Sequence, residues 1–498
     1  MNISIKNALG EAKKGKGVLE HLLKDAFALM LCILHHETRF VNRSGKKVSC
    51  GRGIFHRPQK KMEIRKEVCY SIGYQNSRGV WQQSDFLNPS KKAGLIMIYT
   101  PQEVMQYIQE EDVKFIRLAF CDVLGRPKNI SIMPHELERA FQYGIAIDGS
   151  AIAGFSDEVH SDLFLHPDPS TITPLPWRPE HGRVVRMLCS ITRLDGSPFP
   201  YDTRSILKQA IADAAKAGYA FSFGSELEFY LFQLDEHGEP TNIPYDRAGY
   251  MDVAPEDKCE NVRREICLTL AQMGIQPESS HHEDGPGQNE IDFRYSDALS
   301  AADNALTFRT VVGTIAARNG LYADFSPKPL HEAAGSGFHI NISAQSCGEV
   351  VMHRMMGGIL RHIGDMTLFL NPTDRSYQRL GSNKAPKYIS WSSDNRSQLI
   401  RIPAAEGEYR RFELRSPDCT ANPYLAFALL IWAGLDGILN NIALPEKSNV
   451  NLFTASPKDL WGLETLPLSR NSAAKAAMAS EFIREHLPEN LIRFFCEG

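Results

Sequence analysis

Phe223-Gly224-Ser225-Glu226-Leu227-Glu228-Phe229-Tyr230-Leu231-Phe232 alternates polar and apolar residues along most of its length. In a β-strand the side-chain period is two, so Glu226, Glu228 and Tyr230 share one face and Leu227, Phe229 and Leu231 the other. Two carboxylates then stand roughly 7 Å apart along the strand, above a row of large apolar groups that requires burial. A lone Glu-x-Glu is most often the solvated face of an edge strand. Here the same design recurs three times downstream, and the recurrence decides the reading.

In Glu290-Ile291-Asp292-Phe293-Arg294-Tyr295, Glu290, Asp292 and Arg294 share a face. His281-His282-Glu283 precedes it, with Gly285-Pro286-Gly287 forcing a turn between. Gly337-Phe338-His339-Ile340-Asn341-Ile342-Ser343 sets His339, Asn341 and Ser343 against Phe338, Ile340 and Ile342, and Arg411-Phe412-Glu413-Leu414-Arg415 again separates charge from apolar bulk. Four amphipathic strands predict one sheet with one ionic face. A face this rich in carboxylates is costly unless it holds a cation. Glu226, Glu228, Glu283, Glu290 and Glu413 offer hard oxygens and His339 one imidazole, with no thiolate, which favours Mg²⁺ or Mn²⁺ over zinc. Any one of these residues alone reads as an ordinary surface ion pair; the set does not. Arginines follow in a run, Arg396, Arg401, Arg410, Arg411 and Arg415, suited to clamping carboxylate or phosphate. Some of these read as structural, Arg401 beside Pro403 first among them.

The 498 residues imply two or three domains, and 43% hydrophobic with 23% charged residues is a globular composition. The net charge of -4 hides an asymmetry: residues 1–96 carry 18 Lys+Arg against 7 Asp+Glu, so the remainder is strongly acidic. Neither nucleic acid nor membrane is expected as a partner, and no apolar run near the start approaches the ~20 residues a spanning helix needs. Ten cysteines without a C-x-x-C pair read as reduced and cytoplasmic. Residues 1–96 read as a basic extension of unknown role, with a helix over Val18 to Leu34 and a loop-like Asn42 to Lys61. The regular module begins at Met97, where Thr100, Pro101 and Glu103 form a helix-start signature. A small mixed domain is expected over 97–202, with a strand at Val113 to Ala119, a turn at Asp122 to Pro127, a strand at Lys128 to Ile132, a helix at Pro134 to Tyr143 and short strands near Thr171 and Arg183. A second domain, 203–498, opens with a helix at Arg204 to Ala217 ended by Gly218. Further helices are expected near Asn261 to Met273, Asp303 to Ala317, Val350 to Asn371 and Pro423 to Asn441.

Glu226-Leu227-Glu228-Phe229, His281-His282-Glu283 with Gly287-Gln288-Asn289-Glu290, Gly335-Ser336-Gly337-Phe338-His339, Asn395-Arg396-Ser397 and Arg415-Ser416-Pro417-Asp418 resemble glutamine synthetase of the bacterial class I type. The resemblance runs from about Met97 to Asn441, and Asp148-Gly149-Ser150 resembles that family's N-terminal active-site loop. It implies an α+β fold, a β-grasp domain followed by a catalytic domain, assembled as a homo-oligomeric ring, commonly a dodecamer. It implies an ATP-dependent ligase that phosphorylates the γ-carboxylate of glutamate and lets ammonium or another amine displace phosphate. By resemblance, Glu228, Glu283 and Glu290 hold one metal and Glu226, His339 and Glu413 the other. Arg396 and Arg411 face the phosphates, Gly335, Arg379 and Arg415 the substrate, and Glu278, Asn341 and Ser343 the nucleotide. Asp148, from a neighbouring subunit, handles the amine.

Departures concern the amine and the amino acid. In the flap, Leu380-Gly381-Ser382-Asn383-Lys384-Ala385-Pro386 has Lys384 where the family's glutamate stands; Ala334 replaces an asparagine, and Ala151 a serine. A protonated Lys384 repels ammonium and cannot act as a base. Three readings follow: a glutamine synthetase proper, a ligase for a larger amine, or a silent ring-forming homologue. No tyrosine follows Tyr424, so tyrosine adenylylation in that region is not expected.

Overall fold

The computed structural model describes residues 99–155, 161–178, 181–345, 348–405, 407 and 410–497, and the backbone of two short strands, β1 (Arg39–Val41) and β2 (Lys47–Ser49). The chain divides into two compact units, Met1–Gly94 and Leu95–Gly498. In the first, β1 and β2 pair antiparallel, so the stretch expected to be loop contains a strand. The helix expected over Val18 to Leu34 lies outside the described residues.

The second unit opens with α1 (Pro101–Glu110), where Thr100 and Glu103 form the reciprocal capping box that their spacing predicts. Strands β3 (Val113–Cys121) and β4 (Pro127–Ile132) flank the expected turn, and α2 (Leu137–Tyr143) follows a single 3₁₀ turn. Then come β5 (Ile145–Asp148), β6 (Asp162–Pro167), β7 (Thr173–Pro174) and β8 (Arg183–Thr192). They form one sheet in the order β4-β3-β8-β6-β5, with β7 on β8 and only β3 and β8 parallel. Strand β6 was not anticipated: Leu163 and Leu165 alternate inward, but the run is short and ends at Pro167.

Helix α3 (Thr203–Lys216) is capped by Asp202 and delivers the chain into β9 (Phe221–Leu234), the strand on which the larger sheet is built. In chain order there follow β10 (Pro240–Pro244), α4 (Glu260–Gln272), β11 (Pro277–His282), β12 (Gln288–Asp297), α5 (Ala298–Arg318), β13 (Leu321–Asp324), β14 (Phe338–Ala344), α6 (Glu349–Leu370) and α7 (Asp374–Arg379). The chain ends with β15 (Trp391–Ser393), β16 (Ile400–Ile402), β17 (Phe412–Leu414), α8 (Pro423–Leu439), α9 (Arg470–Ala479), α10 (Glu481–His486) and α11 (Glu489–Glu497). The sheet order is β11-β12-β9-β14-β17-β16-β15, with β10 and β13 also on β9.

Burial follows the alternation. Leu227, Phe229 and Leu231 are 1%, 0% and 0% exposed, and Ile291, Phe293, Phe338, Ile340, Ile342, Phe412 and Leu414 are buried with them. This face is roofed by helices: Phe223 stacks on Phe427 of α8 at 4.3 Å, and Phe308 of α5 meets Phe229 and Phe293 at 6.0 and 5.6 Å. Helix α8 is apolar around nearly its whole circumference and is correspondingly buried along its length. It crosses α6 at a pair of glycines. A Cβ on Gly437 would stand 2.0 Å from the Arg354 carbonyl, and one on Gly358 2.1 Å from that of Ala433, so the helices meet backbone to backbone. The opposite face of the sheet carries the polar residues. Among the described residues no helix is long and apolar enough to cross a membrane.

Candidate active site

Strand register turns the alternating carboxylates into rows across the sheet. His281, Glu290 and Glu228 stand opposite one another on β11, β12 and β9. The next row is Ser279, Asp292, Glu226 and His339, and the third is Gly224, Asn341, Glu413 and Arg401. Partners of this kind have Cβ atoms about 4.5–5.5 Å apart, which brings their carboxylates into mutual reach. Glu226, His339 and Glu413 present ligand atoms within 4.8 Å of one another, as do His281, Glu283 and Glu290, and again Glu226, Glu290 and Asp292.

His339 lies between the groups: its Nδ1 is 3.4 Å from Glu226 and 3.7 Å from Glu413, and its Nε2 is 3.9 Å from Glu228. Glu228, 8% exposed, accepts from the Gly337 amide at 2.9 Å and from Gln288 at 3.0 Å. Glu413 accepts from Arg401 at 2.7 Å and Arg415 at 3.1 Å. Arg401, read as structural, is thus one of the two guanidiniums that hold Glu413.

The electrostatics divide the cluster. Burial, then the charges of Glu228, Asp292, Glu226 and Glu283, push Glu290 well above the usual carboxylate range. Glu283 is raised by burial and then by Glu228, and Asp292 is pushed up to about 6 by burial and then by Glu226. Glu226 goes the other way: burial would raise it, but the hydrogen bond and charge of His339, with Asn341 and Arg411, bring it to about 2. Crowded carboxylates that resist ionising together are what a hard divalent cation relieves, and the donor set, oxygens and one imidazole, fits Mg²⁺ or Mn²⁺.

Beside Glu226 opens a cavity of about 130 Å³ lined by Glu278, Asn341, Ser343 and Arg411. Arg411 donates to Asn341 at 2.9 Å and Asn341 to Glu226 at 2.7 Å, linking cavity wall to carboxylate cluster. Arg379, 2% exposed, lies against Gly335 and donates to the carbonyls of Ser416 and Arg415 at 2.8 and 3.3 Å. Arg415 also donates to the carbonyl of Arg396, whose own side chain is exposed. Tyr230, fully buried on the polar face, donates to the Ala334 carbonyl at 2.6 Å and so anchors that loop.

Lys384 pairs with Asp284, next to Glu283, and its Nζ stands 5.4 Å from the centroid of the Tyr250 ring. Burial would lower its pKa; the hydrogen bond and charge of Asp284 raise it, so it stays a cation. Asp148, exposed at the end of β5, accepts from the Ser150 amide at 2.9 Å and hydroxyl at 2.7 Å, which holds it low. Among the described residues no hydrogen bond or ion pair joins Asp148 to the acidic face of its own chain. Asp292 and His281 belong to the cluster although the ligand assignment passed over them. Their alternation with Glu290 and Glu283 carried the signal; their proximity depends on register.

Comparison with known proteins agrees with this geometry. The glutamine synthetase catalytic-domain family matches residues 200–498, and its beta-Grasp domain matches residues 112–194. The chain is 45% identical over 412 residues to glutamine synthetase of Methanosarcina mazei, covering 80% of this chain and 92% of that one. It is 41% identical over 416 residues to glutamine synthetase of Clostridium saccharobutylicum, covering 80% and 94%. Among solved structures, GmaS in an ADP complex superposes with a TM-score of 0.72 at 29% identity, covering 79% of this chain and 94% of that one. GmaS without ligand gives the same TM-score. With both domains matched and the acidic face of the larger sheet set beside the cavity, the chain belongs to the glutamine synthetase family, enzymes of the glutamate–ammonia ligase type.

Proposed function

We propose that this chain joins ammonium to glutamate at the expense of ATP, through a γ-glutamyl phosphate. The observation that carries the reading is Glu226, set between Asp292 and His339 in register and open to the cavity lined by Glu278, Asn341, Ser343 and Arg411. Glu228, Glu283 and Glu290 would hold one divalent ion and Glu226, His339 and Glu413 a second, which when bound neutralise the charge of the transferring phosphoryl group. Around them, Glu278, Asn341, Ser343 and Arg411 hold the nucleotide. Arg396 and Arg411 stabilise the charge on the phosphate oxygens. Gly335, Arg379 and Arg415 shape the glutamate pocket, Arg379 and Arg415 through the backbone carbonyls they fix as well as by charge. The glutamate γ-carboxylate oxygen attacks the γ-phosphorus and ADP leaves. Asp148, reaching the site of an adjoining copy in a homo-oligomer, takes one proton from ammonium; the ammonia nitrogen then attacks the acyl carbon, and phosphate leaves with a second proton from that nitrogen.

A second reading, a larger amine as acceptor, is favoured by Lys384. A lysine held as a cation between Asp284 and Tyr250 narrows the approach to ammonium and changes what the flap offers an acceptor. The likeness to GmaS, a γ-glutamylmethylamide synthetase, points the same way. Phosphate release from ATP and glutamate, measured with ammonium, methylamine and longer amines, decides. Ammonium-dependent release supports the first reading and release only with a substituted amine the second; release with none overturns both.

A further inference from the structure

Asp246, Asp257 and Cys259 bring ligand-type atoms within 4.8 Å of one another below the site, yet each is already committed. Asp257 is paired with Arg263. Burial, then Asp246, pushes the Cys259 thiol up, so it is a donor and not a thiolate ligand. Asp246, 3% exposed, accepts four hydrogen bonds. Its Oδ1 takes His282 Nε2 at 2.8 Å and the Gly287 amide at 3.0 Å; its Oδ2 takes the Lys258 amide at 3.0 Å and Cys259 Sγ at 3.2 Å. His282, fully buried, contacts the Glu283 carbonyl through Nδ1 at 2.7 Å. Both ring nitrogens are therefore held in place.

These bonds reach two walls of the candidate site. One is the turn from Glu283 to Gly287. Gly287 has φ +70° and a Cβ there would lie 2.8 Å from the Leu231 carbonyl, so the turn takes this path only with glycine. The other wall is the loop closed between Asp246 and Lys258, which presents Tyr250 and is stitched to the turn's strand by Met251 N to His282 O at 3.0 Å. Tyr250 packs edge-on to His281 at 5.3 Å.

We propose that Asp246 is a positioning residue for the metal-binding turn. Through His282 and Gly287 it sets where Glu283 points, and through the Lys258 amide it sets the Tyr250 loop against the same turn. The proposal rests on the reading of Glu283 as a ligand, and the test separates the two. Mn²⁺ is titrated into the full-length protein, free of nucleotide, with bound metal read by electron paramagnetic resonance. D246N should weaken Mn²⁺ binding about 10- to 100-fold, the range for loss of groups that orient ligands, and alter the bound-Mn²⁺ line shape. C259A, which removes one bond to Asp246 without touching the turn, should lower the melting temperature and leave Mn²⁺ affinity unchanged. If D246N binds Mn²⁺ as wild type does while E283Q does not, the positioning role is overturned and the ligand reading stands. If E283Q also binds as wild type, the ligand reading fails and the proposal with it. Should D246N not fold, H282Q takes its place under the same criteria.

Discussion

Replacing Lys384 with glutamate tests the flap directly. The Lys384–Asp284 pair has side chains 63% and 33% exposed, so its contribution is screened to about 0.2–1 kcal/mol. The Tyr250 contact at 5.4 Å adds about 0.5–1 kcal/mol at an exposed site. Losing both frees the segment around Lys384 by about 0.7–2 kcal/mol, a roughly 3- to 30-fold rise in its open population. The charge reversal adds a second effect. At roughly 6 Å in a water-like dielectric one unit charge acts on ammonium with about 0.7 kcal/mol, so going from +1 to −1 changes the approach by about 1.4 kcal/mol. K384E should therefore lower the KM for ammonium about tenfold, and K384Q about threefold, with faster hydrogen exchange over residues 380–387 in both. The assay is steady-state phosphate release against ammonium concentration at fixed ionic strength. An unchanged or higher ammonium KM in K384E would refute the reasoning, and equal KM values in K384E and K384Q would refute its electrostatic half.

The helix crossing gives a sharp stability test: G437A forces a methyl group against the Arg354 carbonyl and should cost about 1–3 kcal/mol, read in denaturant unfolding. At the other end of the module, T100A removes the capping box of α1 and should cost about 1 kcal/mol locally, read as faster amide exchange over residues 101–105. The raised carboxylates predict a pH effect with a definite sign. Because Glu283, Glu290 and Asp292 have folded pKa values above their unfolded ones, their favourable contribution is complete at low pH and is lost as pH rises through the folded values, near 6 for Asp292. Bound Mg²⁺ cancels that loss, so the gain in melting temperature on adding Mg²⁺ should grow between pH 5 and pH 8; a gain independent of pH would count against it. E290Q, which removes one of these raised groups, should shrink both the pH dependence and the Mg²⁺ gain in the same calorimetric series.

What the sequence by itself determined was whatever depends on a short period or a local bond. Alternation over Phe223 to Phe232 sorted Glu226 and Glu228 from Leu227 and Phe229, and the apolar set is buried as that sorting predicts, although Glu228 and Tyr230 on the polar face are buried too. Thr100 and Glu103 announced α1, and a helix was expected from Pro423. Tertiary structure alone decided which strand lies beside which. Nothing local states that Asp292 faces Glu226 from one side and His339 from the other, that Arg401 serves Glu413, or that Asp246 reaches under His282 from a different loop. The physical reason is that side-chain period is a property of a few consecutive residues, whereas register is set by pairing and packing between segments far apart in the chain. The carboxylates of β9 were therefore legible as an acidic face, but the partners that give each its charge state were fixed only when β12 and β14 closed on either side of it.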